Sequence, residues 1–208
     1  MTRKQRILVF SIAGFMAVAV MAMIAYIVVR GVRGAIPKEA RGEDRKLVVT
    51  AAALQTFGAP APDPKRERLT IQKSFDGSFT IDYSYSNESG GVDGSRIFLS
   101  SQAFVFFTKL SAIQMFKMQQ IGLKSGFAMT GDIKVVPEPS LITSGDDHYS
   151  AILESKASGQ KLGNLFLVRQ GRSLLSVVIV GMSFNDADSV ERLLKPALDE
   201  GKRRFVKR

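Results

Sequence analysis

The sequence predicts an α+β domain behind an N-terminal transmembrane helix, with one antiparallel sheet of about five to six strands and a mid-domain and a C-terminal helix packed on it. Three observations carry this. Ile7 to Val29 is a run with no charge and no proline. Between residues 70 and 182, apolar side chains alternate with polar ones in short blocks separated by Gly-, Pro- and Asp-containing turns. Two blocks, after Thr108 and after Asp186, switch to helical spacing.

Residues 1–6 form a basic tail holding Arg3, Lys4 and Arg6, and residues 7–29 form the membrane span. At ~1.5 Å per residue the run reaches about 35 Å, enough for a ~30 Å hydrocarbon core with some tilt. A soluble core helix is rarely apolar on every face over that length. Ala17-Val18-Ala19 fits a signal-peptide cleavage site, but the apolar run continues well beyond it, which suits an uncleaved anchor. For sidedness, Lys and Arg beyond the span (Arg30, Arg33, Lys38, Arg41, Arg45, Lys46) outnumber those before it and favour a cytoplasmic C-terminal side. The cluster Arg3, Lys4 and Arg6 with the α-amine is, however, costly to translocate. We therefore read the chain as N-in at an inner (cytoplasmic) membrane, with the domain extracytoplasmic.

Residues 30–69 read as a polar linker. Its prolines at 60, 62 and 64 favour an extended spacer, and Leu47–Phe57 could form a short helix or strand. Arg30 and Arg33, with Arg3, Lys4 and Arg6, are expected on lipid headgroups. Residues 70–208 form the globular domain with its basic C-terminal tail. Phe79, Ile81, Tyr83 and Tyr85 mark a strand with one buried face, and 87–95 a glycine-rich turn. Ile97 to Phe107 reads as a second strand with a bulge at Ser100-Ser101. Thr108 caps a helix from about Lys109 to Lys124, stopped by Gly126; the alternative is a helix that starts at Ser101 and absorbs Ala103–Phe107. Strands follow at Ile133–Val136, His148–Ser155, Asn164–Arg169 and Leu174–Met182. The last is the most continuous β-branched run and is expected at the centre of the sheet, covered on both faces. Asp186 or Asp188 caps the final helix, where Pro196 predicts a kink or break.

The net charge of +10 is unevenly placed: residues 70–201 hold twelve Lys/Arg against fourteen acids, while 202–208 hold five Lys/Arg and no acid. Basic charge beside an apolar span suits anionic lipid better than a nucleic-acid groove, so nucleic acid is not an expected partner. The tail cations also suit the negative end of a helix dipole. Cysteine is absent, which excludes a disulfide scaffold, a Cys-based zinc site and a lipidated-Cys anchor.

The order strand–strand–helix, further antiparallel strands, then a C-terminal helix rests chiefly on NLFLVRQGRSLLSVVIVGMS followed by DSVERLLKPALDE. In that order it resembles the extrinsic photosystem II subunit (PsbP)-like fold of several extracytoplasmic domains. The resemblance implies an α+β fold over about residues 70–205 and transfers no site residue.

His148, the single histidine, stands in Gly145-Asp146-Asp147-His148-Tyr149. Asp146, Asp147, His148 and Tyr149 are the candidate ligand cleft, although neighbours in one turn do not present three ligands to one ion. Asn185–Ser189 resembles a cation loop without the later Gly and Glu, and its acids suit a helix start. Gly90–Ser95 lacks the Gly-Lys-Ser/Thr ending of a phosphate loop. Phe104, Phe106, Phe107, Met115, Phe116 and Met118 are expected mostly in the core, with a share left for a partner surface. No catalytic residue, cofactor or metal is expected. The favoured reading is a non-enzymatic domain that binds or scaffolds a protein at a membrane, in an envelope complex; a ligand-sensing module comes second and an enzyme last. A dry sheet–helix interface with an apolar patch outside favours the first, and a pocket lined by Asp147, His148 and Tyr149 the second.

Overall fold

The alternating blocks pair into one antiparallel sheet in the computed structural model, which describes residues 36–39, 42–74, 76–87, 96–129 and 132–205. The strands are β1 (Ile36–Glu39), β2 (Glu67–Lys73), β3 (Phe79–Ser86), β4 (Phe98–Val105), β5 (Ile133–Pro137), β6 (Asp147–Ser155), β7 (Lys161–Gln170) and β8 (Ser173–Val180). Their order is β1-β2-β3-β4-β8-β7-β6-β5. Three helices accompany them: α1 (Ala51–Gln55), α2 (Lys109–Met129) and α3 (Ala187–Phe205). The membrane span Ile7–Val29 and the lipid-contact residues Arg3, Lys4, Arg6, Arg30 and Arg33 lie outside the described residues, as does the glycine-rich turn at 88–95. Among the described residues no helix is long and apolar enough to cross a membrane.

Strand alternation divides the core into two layers. On one face Ile81, Tyr83, Leu99, Phe166, Leu175, Val177 and Ile179 pack under Val190, Leu193, Leu194 and Leu198 of α3. On the other, Tyr149, Ala151, Leu153, Leu165, Leu167 and Leu174 pack under Phe116 of α2. β8 lies between β4 and β7 and contributes to both layers, which explains its unbroken apolar run. α2 covers only the β5–β8 half of its face. On β3 and the middle of β4 the same face is polar, with Gln102 donating to Asp82 at 2.6 Å.

The sheet exceeds the expected five to six strands: seven strands, β2 to β8, carry it, and four-residue β1 adds an edge. Both additions fall within or begin within residues 30–69. β2 was illegible because only Ile71 of its seven residues is buried. The same range holds Leu47, Val48, Val49, Ala51 and Leu54, all buried in the α3-side core, so the packed domain starts near residue 44 and not at 70. Two buried hydroxyls fasten this strap to the sheet: Val49 N–H donates to Ser101 Oγ and Ala51 N–H to Tyr83 Oη, each at 2.9 Å. Ser101 is thus a polar residue in a strand because a neighbouring backbone needs an acceptor.

Smaller differences have similar causes. β4 pairs with β3 and β8 without a bulge at Ser100-Ser101; the register shift falls at Leu153/Glu154 instead. α2 runs through Gly126 to Met129. α3 continues without a break across Pro196, which is exposed, so the Arg192 carbonyl deprived of its partner lies on the solvent side.

Candidate functional site

Asp146 to Tyr149 does not form one site. From Asp147 onward the segment is strand, and alternation sends His148 to solvent on one face and Tyr149 into the α2-side core on the other. Asp146 and Asp147 converge instead on Arg169, which is only 4% exposed. Its Nε donates to Asp147 Oδ2 at 2.5 Å, and its Nη1 to Asp146 Oδ2 and the Gly171 carbonyl, each at 2.9 Å. The Gly171 N–H also donates to Asp146, and that bond, with the guanidinium beside it, holds the Asp146 carboxyl below its ordinary range. Both acids share the one guanidinium, which ties the start of β6 to the β7–β8 turn. Lys124 stands over the Tyr149 ring at 4.7 Å, and burial pushes the Tyr149 hydroxyl up.

The other motifs resolve locally. Asp186 accepts from Ser189 N–H at 2.7 Å at the start of α3, which accounts for its lowered carboxyl. Among the described residues no three His, Cys, Asp or Glu side chains group to hold a metal ion.

A further concavity lies elsewhere. It is a groove of about 590 Å³ between the 42–53 strap and α3. Val48, Val49, Ala53, Leu193 and Ala197 form its floor with Pro196, and Arg45, Lys46, Asp199, Glu200 and Arg203 its rim. The rim charges are paired: Arg45 with Glu67, Lys46 with Glu43 at 3.0 Å, Lys195 with Asp199 at 2.9 Å, and Arg203 with Glu200 at 2.7 Å. The hydrogen bonds from Arg203 and Arg204 lower the Glu200 carboxyl to about 2. The groove was hidden because half its wall sits in the presumed linker. Its signal was the apolar block LVVTAAAL at 47–54, set in polar sequence.

The aromatic run also divides. Phe104 and Phe106 are partly buried and stack at 6.2 Å, whereas Phe107, Leu110, Met118 and Ile121 are exposed.

No protein-family model matches the chain, and no curated protein matches it. Among solved structures the chain is similar to the extracellular domain of PknH from Mycobacterium tuberculosis, with TM-score 0.47 and 11% identity over 79% of this chain and 98% of that one. A likeness at this level carries no functional information. The element-order resemblance to PsbP-like domains is thus without support at the family level.

Proposed function

We propose that this chain is a membrane-tethered, non-enzymatic domain that holds a protein partner in the groove between the 42–53 strap and α3. The observation that carries it is the groove itself: about 590 Å³, apolar at its floor and ringed by charges already paired within the domain. Such a rim favours a partner segment that contributes apolar side chains and surface hydrogen bonds over a small charged ligand. The apolar run Ile7–Val29 supports a single-pass anchor in an inner (cytoplasmic) membrane, and the cluster Arg3, Lys4 and Arg6 supports an N-in orientation with the domain outside, in an envelope complex. The non-enzymatic reading is supported by the structural occupation of Asp146, Asp147, Asp186 and Glu200.

The test is site-specific photocrosslinking in native membranes. A photoreactive residue at Pro196 should give a discrete adduct that a second substitution, Ala53→Arg on the groove floor, abolishes while the thermal transition is kept. The same probe at exposed Lys134, outside the groove, should give none. An adduct that survives Ala53→Arg, or equal adducts at both positions, would refute the groove as the binding site.

A further inference from the structure

We infer that the domain meets an anionic bilayer with one particular end of its sheet, where Phe107 and Leu110 enter the headgroup layer. This rests on the reading of Ile7–Val29 as a membrane span. The pairing registers align Ile36, Lys73, Phe79, Val105, Ser173, Gln170 and Asp147 along one end of the sheet. Ile36 is the seventh residue after Val29, and seven residues reach at most about 25 Å. A domain entered by its chain at this end, on so short a tether, has this end nearest the membrane.

The side chains there fit that surface. α2 begins at this end, and just ahead of it Phe107 is 65% exposed, followed by Leu110 at 64%. The Phe107 ring is exposed although its backbone is fixed: its N–H donates to Ser78 Oγ at 3.2 Å, and its carbonyl accepts from Arg172 at 3.3 Å. Thr108 Oγ1 then accepts from Ser111 N–H at 3.0 Å, so the turn presenting both apolar side chains is capped in place. α3 ends here too, with Phe205 against Phe79 at 5.5 Å, which brings the basic C-terminal turn to the same end.

The acids of this end are already engaged. Asp146 and Asp147 hold Arg169, Glu200 holds Arg203 and Arg204, and Glu43 and Asp44 hold Arg204; Asp76 accepts from Ser78 N–H. Lys73, Lys109, Arg172 and Lys202 form no ion pair with a described residue. Cations without an ion-pair partner, Lys109 acting at longer range on Asp146, stand around two exposed apolar side chains and make a surface complementary to anionic headgroups over an apolar interior. Met118 and Ile121 lie about 12 and 17 Å further along α2 from Leu110, at ~1.5 Å per residue, and away from this end.

The experiment uses the full chain, whose lack of cysteine permits single labels. An environment-sensitive fluorophore is placed at Phe107→Cys, Leu110→Cys, Ile121→Cys or Ser158→Cys, the last in the β6–β7 turn at the opposite end. The protein is reconstituted in phosphatidylglycerol/phosphatidylethanolamine vesicles carrying a headgroup-region nitroxide lipid. Labels at 107 and 110 should be quenched and those at 121 and 158 spared. Lys73→Gln and Lys109→Gln should each lower the docked-to-undocked ratio about 5-fold, and together about 30-fold. Phosphatidylcholine vesicles should weaken quenching in the same sense. Quenching at 121 equal to that at 107, or none at 107 and 110, would overturn the proposal. Flotation of the same samples isolates the premise: a chain that fails to float refutes the anchor, whereas one that floats without quenching at 107 and 110 refutes the orientation alone.

Discussion

Tyr83→Phe removes one oxygen from a ring that is 1% exposed, and that oxygen accepts the Ala51 N–H at 2.9 Å. The ring and its packing remain, so the change removes only what the hydroxyl does: its bond to the 47–54 strap and its contact with the Glu67 carboxylate on β2. Ala51 is itself buried, and its orphaned N–H should cost about 1–3 kcal/mol. Ser101→Ala does the same to Val49 N–H, again by about 1–3 kcal/mol. The two bonds serve one strap, so their effects should couple and the double variant should lose less than the sum. If the strap peels locally, amide exchange at Ala51 should rise about 5- to 150-fold in Tyr83→Phe, the rate equivalent of that free energy.

The phenol supplies a pH signature as well. Burial, with the Glu67 carboxylate adding to it, pushes Tyr83 up to about 12. The folded value lies above the unfolded value of ~10. The stabilisation is therefore fully present below pH ~10 and is lost as pH rises through about 12. Urea titrations of the full chain in detergent micelles, followed by far-ultraviolet circular dichroism, would measure both effects. Tyr83→Phe should be less stable at pH 7 and lose less between pH ~10 and 12 than the parent. A loss at pH 7 below about 0.5 kcal/mol, within the range of neutral surface changes, would refute the claim that the strap is part of the folded domain.

Three further outcomes follow from the same geometry. Arg169→Met should cost about 2 kcal/mol in the same titration, the ~3–5 kcal/mol of breaking a buried pair halved because water reaches the half-exposed Asp146 and Asp147; a neutral result would refute its role in fixing the β7–β8 turn. Gly181 has φ +89°, and a Cβ there would overlap the Arg96 carbonyl, so Gly181→Ala should lower stability by at least about 2 kcal/mol, read as a fall in Tm. Asp146 and Glu200 are both lowered in the folded state, so their contribution is complete above the ordinary carboxylate range and lost as pH falls through the folded values, about 2 for Glu200; Glu200→Gln should flatten the acid limb of a stability–pH curve, and an unchanged limb would refute the Arg203–Glu200–Arg204 cluster.

The legible parts of the fold were those where one physical term dominates a stretch. β3 could be read because Ile81, Tyr83 and Tyr85 all face one buried layer, and β8 because both its faces are covered. β2 and the strap were not. β2 is held by backbone pairing to β3 with little side-chain burial, so its sequence looks like the charged linker before it. The strap is too short and alanine-rich to show a period, and the acceptors that fix it, Ser101 and Tyr83, lie 52 and 32 residues away. Bonds of that separation leave no local pattern.

The candidate site failed for the complementary reason. Asp146, Asp147, His148 and Tyr149 are adjacent in sequence, and adjacency in a strand separates side chains: His148 and Tyr149 face opposite sides of the sheet. The surfaces that remain open are assembled from distant segments. The groove joins residues near 48 to residues near 197, and the end bearing Phe107 joins β1, the β7–β8 turn and the last turn of α3. The two share an element. α3 lines the groove with Leu193 and Ala197 and reaches the Phe107 end with Lys202 and Phe205. At ~1.5 Å per residue those positions are about 8 to 18 Å apart along the helix. A partner seated in the groove therefore sits close to the bilayer whenever Phe107 and Leu110 are docked, and charge-neutralising changes at Lys73 and Lys109 should shift crosslinks from Pro196 as well as lipid quenching if the two surfaces work together.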